Sequence, residues 1–139
     1  LGYVVMQAQQ RVGQPCWRYW FDYVAEAEHD TYPHGAWHGN EVPYVFDNLR
    51  LTDPVCQYAS EADLAFAAQV ADYWAQFARV ASGDQALAGA VRWPACLRGR
   101  DRLLRIGLHK RAGFKVENRF MRARLALFRR VMKHHVTLE

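Results

Sequence analysis

The sequence predicts an α/β fold, part of a mainly parallel sheet flanked by helices. Three observations carry that prediction. Apolar residues at period two near residue 20 and a short apolar run near residue 105 mark two strands, with helical apolar spacing between and after them. The resulting order of helix, strand, loop, helix, strand, helix is the alternation of α/β domains. The first strand is apolar on both faces, as suits a sheet covered by helices on either side. Two strands do not make a stable sheet of this kind, so chain outside these 139 residues is expected to complete it.

Composition narrows the class. With 51% hydrophobic and 14% aromatic residues, the chain has the apolar material for one core and is no disordered tail. No run of eighteen or so apolar residues is present, so no membrane span is expected. No signal-peptide pattern opens the chain. The net charge of +4 is unevenly spread: residues 1–91 carry 4 Lys/Arg against 11 Asp/Glu, and residues 92–139 carry 14 against 3. The basic end reads as a solvated surface of the last elements. The rival, an anionic-membrane or nucleic-acid patch, lacks any accompanying motif, and nucleic acid is not expected as a partner. Cys16, Cys56 and Cys96 are widely spaced, without the CxxC pair of a zinc ribbon or thioredoxin motif. They read as free thiols, with one disulfide plus one free thiol as the alternative, and they leave the compartment open.

In chain order, residues 1–12 form a helix stopped by Gly13 with Pro15 beyond. Residues 16–24 (CWRYWFDYV) form a strand, with Trp17, Tyr19, Phe21 and Tyr23 on one side and Trp20 and Val24 on the other. Residues 25–37 are a polar loop with Pro33 and Gly35. Pro43 suits the first turn of a short helix in EVPYVF, and residues 48–59 are irregular. Next comes the clearest helix. Ser60 and Asp63 make a capping box with Asp in place of Glu, Phe66, Val70, Tyr73, Trp74 and Phe77 form its core stripe, and Gly83 follows its end. A loop over residues 84–97 holds Gly89, Trp93 and Pro94. Residues 103–108 form the last strand, followed by a turn at Gly113. Residues 117–135 form an amphipathic helix, with Met121, Leu125, Phe128 and Met132 on one face and Arg119, Arg122, Arg129, Arg130 and Lys133 on the other.

The informative stretch is residues 17–49. A strand WRYWFDYV leads through a variable loop to GAWHGNEVPYVFDNL, and DYWAQFAR, Gly83 with Asp84, and Trp93 with Pro94 follow. This pattern resembles the type-B carboxylesterase and cholinesterase family over most of the chain, weakening after about Leu97. The resemblance implies an α/β-hydrolase fold, with residues 1–139 the C-terminal segment of a single carboxylesterase domain. It implies hydrolysis of carboxylic esters by a serine, a histidine and a glutamate, without metal or organic cofactor. A small-molecule ester is then the substrate, and the remainder of the esterase domain is the partner. In such a triad the histidine takes the serine's proton and returns it to the leaving alcohol, while the acid holds the imidazole. His38 matches the family's histidine. An unperturbed pKa of about 6.5 suits an imidazole to both proton transfers.

Around His38, Glu41 stands three residues on and reads either as a supporting acid near the site or as a negative charge at a helix N-terminus. The family's own triad acid lies upstream. Asn40 and Trp37 are candidates to line the pocket. Cholinesterases commonly carry an aromatic residue where Asn40 stands, so a choline ester is disfavoured as substrate, since no ring face is there to attract the cation. No GxSxG nucleophile elbow and no Gly-rich oxyanion segment occur in the 139 residues. The isolated chain, lacking two of the three triad groups, is therefore expected to be inactive. Two rivals stand beside this reading. One is a cholinesterase-like adhesion module that keeps the scaffold and drops the chemistry. The other is a metal-binding loop built from His29, His34 and His38 with Glu26, Glu28 and Asp30, although the spacing matches no HExxH pattern.

Overall fold

A computed structural model describes residues 2–79, 91–97 and 99–135, with the side chains of the last helix described as far as Val131. The expected glycine stop at Gly83, the Gly83 and Asp84 part of the resemblance, Gly89, and the side chains of Met132 and Lys133 lie outside those residues.

Helix α1 (Gly2–Arg11) ends as the sequence expects. Gly13 takes a φ of 73°, its N–H bonds to Gln10 O, and Gln14 N–H bonds to Gln9 O at 2.9 Å. That is the Schellman closure, in which a left-handed residue satisfies the last carbonyls of the helix. Strand β1 is shorter than expected, Tyr19–Phe21 rather than residues 16–24. It pairs in parallel with β2 (Arg102–Leu108), Tyr19 opposite Leu104 and Phe21 opposite Ile106.

Two expectations are corrected at the C-terminal side. The chain turns back at His109 and Lys110 (φ 55° and 72°), not at Gly113. Gly113 instead lies inside a further strand, β3 (Arg111–Asn118), antiparallel to β2. A two-residue hairpin loop needs positive φ at both positions because only that twist matches the strands. His-Lys carries no Asn-Gly signature, so the turn was hidden. Because β3 extends through Asn118, the final helix α4 (Arg122–His135) begins five residues later than residue 117. The sheet, in the order β1-β2-β3, is mixed rather than mainly parallel among the described residues.

Helix α3 (Glu61–Arg79) lies over one face of this sheet. Phe66 and Tyr73 pack on Phe114 of β3 with ring centroids 5.2 and 4.9 Å apart. Val70 is buried beside them, whereas Phe77, at the end of the predicted stripe, is 46% exposed. Short helix α2 (Val42–Val45) adds Tyr44 to the same core, against Phe66 and Tyr23. The opposite face carries Trp20, whose ring packs on Phe120 ahead of α4. Arg129 of α4 reaches back to Gln7 of α1 at 2.9 Å.

Candidate active site

Two buried carboxylates fix the chain as it leaves β1. Asp22 accepts hydrogen bonds from Arg105 (2.5 and 3.1 Å) and from His109 N–H (3.0 Å), locking the β1 exit to β2 and its hairpin. Asp63, 0% exposed, accepts from Tyr23 Oη at 2.5 Å, Ser60 N–H at 2.7 Å and Ser60 Oγ at 2.8 Å, while its own N–H donates to Ser60 Oγ. The capping box expected from the sequence is therefore present, and it also anchors the strand exit to the start of α3. Burial, and secondarily the bond to Asp63, drives the Tyr23 hydroxyl well above the usual tyrosine range.

The loop beyond is pinned before it reaches His38. His29 Nε2 bonds to Val24 O at 3.0 Å, Lys110 Nζ donates to His29 O at 2.6 Å, and Tyr58 Oη donates to Glu28 at 2.5 Å. His38 then occupies a tight turn with Gly39 at φ 86°, a conformation that suits a residue without a Cβ. Asn40 N–H bonds to Trp37 O, and Val42 N–H bonds to Gly39 O. The Asn40 side chain, 4% exposed, donates to Tyr23 O at 2.9 Å. That bond ties the histidine turn to the chain two residues beyond β1.

The imidazole of His38 is thus exposed, on a short turn hooked to the C-terminal end of a strand in a parallel pair. Catalytic groups of open α/β sheets stand at such ends, where loops are held by rigid strands. Trp37 is 48% exposed beside it, with its ring 6.2 Å from that of Tyr32. Asn40 is spent on the backbone contact and turned inward. Glu41 is half-buried at the cap position of α2 and makes no side-chain hydrogen bond to the helix. Its charge adds to the effect of burial in raising the Tyr19 hydroxyl.

The residues of the metal reading do not come together: among the described residues no group of three His, Cys, Asp or Glu side chains converges on one point. A groove of about 420 Å³ opens elsewhere, between α1, β1 and α4, lined by Tyr3, Met6, Cys16, Trp20, Leu103 and Phe120. It belongs to the opposite end of β1 from the histidine turn.

Sequence reasoning missed Asp22, Asn40 as an anchor, and Gly107. Asp22 had a signal, a carboxylate inside an aromatic run, and so did Gly107, a glycine inside a strand pattern. A Cβ on Gly107 would stand 2.4 Å from Tyr23 N, so the glycine is what lets β2 approach the β1 exit.

No curated protein matches the sequence. The sequence model of the carboxylesterase family matches residues 2–128, nearly the whole chain, including the aromatic strand, the histidine turn and the hairpin. That match agrees with the type-B carboxylesterase and cholinesterase pattern read from the residues, and the three-stranded mixed sheet with its helices is compatible with part of the family's α/β-hydrolase fold. The chain belongs to the carboxylesterase family, whose chemistry is the hydrolysis of carboxylic esters.

Proposed function

We propose that this chain supplies the proton-shuttling histidine, His38, to a serine carboxylesterase whose nucleophile and triad acid lie outside the 139 residues. The observation that carries the reading is the placement of an exposed imidazole on a turn anchored by Asn40 to the exit of β1, within the segment matched by the carboxylesterase family. The serine attacks the ester carbonyl as His38 takes its proton. The imidazolium then protonates the leaving alcohol, and the cycle repeats with water in place of the serine. An acid on the far ring nitrogen holds the required tautomer. Two of the described hydroxyls are already engaged: Ser60 Oγ with Asp63, and Thr52 Oγ1 with Asn48 O. Trp37 offers an exposed ring as a pocket wall for a small ester. Glu41, at the cap position of α2, adds a negative charge next to the turn.

The test uses p-nitrophenyl acetate. The 139-residue chain alone is expected to give no turnover above buffer, because two of three triad groups are missing. A protein extended upstream through a GxSxG elbow is expected to turn over, and His38→Ala in it to lower kcat by about 10⁴-fold or more. Turnover by the isolated chain that His38→Ala abolishes would overturn the division of the triad. An extended esterase that keeps its rate in His38→Ala would overturn the role of His38.

A further inference from the structure

One cysteine lines the groove between α1, β1 and α4, and a second stands opposite it across a backbone bridge. Cys16, just ahead of β1, and Cys96, on the segment approaching β2, oppose each other across an isolated antiparallel bridge, with Cys96 N–H donating to Cys16 O at 2.7 Å. Directly opposed residues of an antiparallel ladder have Cα atoms about 4.5–5.5 Å apart. Disulfides need about 4.4–6.8 Å. The Cys16 thiol points across the bridge, 3.8 Å from Cys96 O, while the Cys96 thiol donates to Arg102 O at 2.7 Å. Cys56 has no such neighbour: it sits on the 3-10 turn Val55–Gln57 with its sulfur 3.2 Å from Asp53 Oδ1.

We propose that Cys16 and Cys96 are a disulfide-forming pair, oxidised by a low-molecular-weight disulfide that enters through the groove, with Cys56 left as the free thiol. Accessibility sets the order of events. Cys96 is fully buried, while Cys16 is partly open and lines the groove. The Cys16 thiolate attacks one sulfur of the oxidant, forming a mixed disulfide and expelling one reduced small thiol. The Cys96 thiolate then attacks the Cys16 sulfur, forming the protein disulfide and expelling the second small thiol. The two protons lost by the cysteines are taken up by the two expelled thiolates, and the two electrons pass to the oxidant. Burial, reinforced by the neighbouring Cys96, raises the Cys16 thiol to about 11. The pair therefore exchanges slowly near neutrality, as a structural brace does rather than a fast sensor.

The brace falls where strand pairing begins. Arg18 O, between Cys16 and β1, already accepts from Leu104 N–H at 2.9 Å and from Trp93 Nε1 at 2.8 Å. A covalent bond there clamps the N-terminal ends of the parallel pair, opposite the His38 turn, and closes a long loop that contains β1, α2 and α3, which constrains the unfolded chain.

The experiment incubates the folded chain with oxidised glutathione, alkylates it under denaturing conditions, and maps the peptides by mass spectrometry. The expected result is one linked peptide pair containing Cys16 and Cys96, with Cys56 alkylated, and the same link in Cys56→Ser. In Cys96→Ser, Cys16 stops at the glutathione adduct. Oxidation is expected to shift the urea midpoint upward, and dithiothreitol to reverse the shift. A Cys16 adduct that persists beside an alkylated Cys96 in the unmodified sequence overturns the proposal, and so does a link that uses Cys56.

Discussion

Asn40 illustrates how one side chain places another. His38 makes its own turn through Gly39, but the orientation of that turn depends on the buried amide reaching Tyr23 O. Asn40→Ala leaves that carbonyl without its side-chain donor, at a cost of about 1–3 kcal/mol. The measurement is urea denaturation of the chain. Asn40→Gln, one methylene longer, is expected to recover little, because the amide is already in contact. Asp63 carries more, since it serves Tyr23, Ser60 and the Glu26 N–H at once. Asp63→Ala removes the carboxylate half of the α3 capping box and leaves the Tyr23 hydroxyl buried without its acceptor. The expected loss is about 3 kcal/mol or more, again read from the urea midpoint.

Among the elements, β2 carries the sharpest constraint. Its apolar residues Leu103, Leu104 and Ile106 are buried on both faces, and Gly107, at φ 80°, sits in the irregularity between Ile106 and Leu108. A methyl group there meets the backbone of Tyr23, which cannot withdraw without breaking the β1–β2 pairing. Gly107→Ala is expected to cost about 4 kcal/mol or more, by overpacking combined with backbone strain. Thermal denaturation followed by circular dichroism checks this. Gly2→Ala, where nothing lies within 4 Å and φ is not positive, serves as the control and is expected to leave the midpoint level or slightly raised, since the site lies in a helix.

At the scale of the whole molecule, the core is a cluster of aromatic rings with hydroxyls inside it. Burial raises Tyr23 and Tyr44 far above the ordinary tyrosine pKa, with the nearby Asp63 carboxylate adding to it. The unfolded chain releases these protons from about pH 10, while the folded chain holds them. Their contribution is thus complete below about pH 10 and is lost as pH rises above it, because the unfolded state then binds fewer protons. Stability is expected to be level from pH 7 to about 9.5 with respect to these groups and to fall beyond. Tyr44→Phe is expected to flatten that fall, and urea titrations across the range test it.

Local signals were enough for part of this molecule. The Gly13 stop, the Ser60 and Asp63 capping box, and the Phe66, Val70 and Tyr73 stripe each depend on residues within a few positions of one another, where sequence spacing and spatial neighbourhood coincide. The family pattern around His38 was legible for the same reason: strand, turn and α2 are contiguous. Tertiary structure alone decided the rest, because those features join residues far apart in the chain. Arg105 on Asp22, Gly107 against the β1 exit, and Cys16 opposite Cys96 all depend on β1 lying beside β2, and Tyr23 on Asp63 depends on the β1 exit meeting the start of α3; no local pattern encodes either. The β3 hairpin escaped for a related reason: its His-Lys turn adopts positive φ under the demand of the paired strands rather than by its own preference.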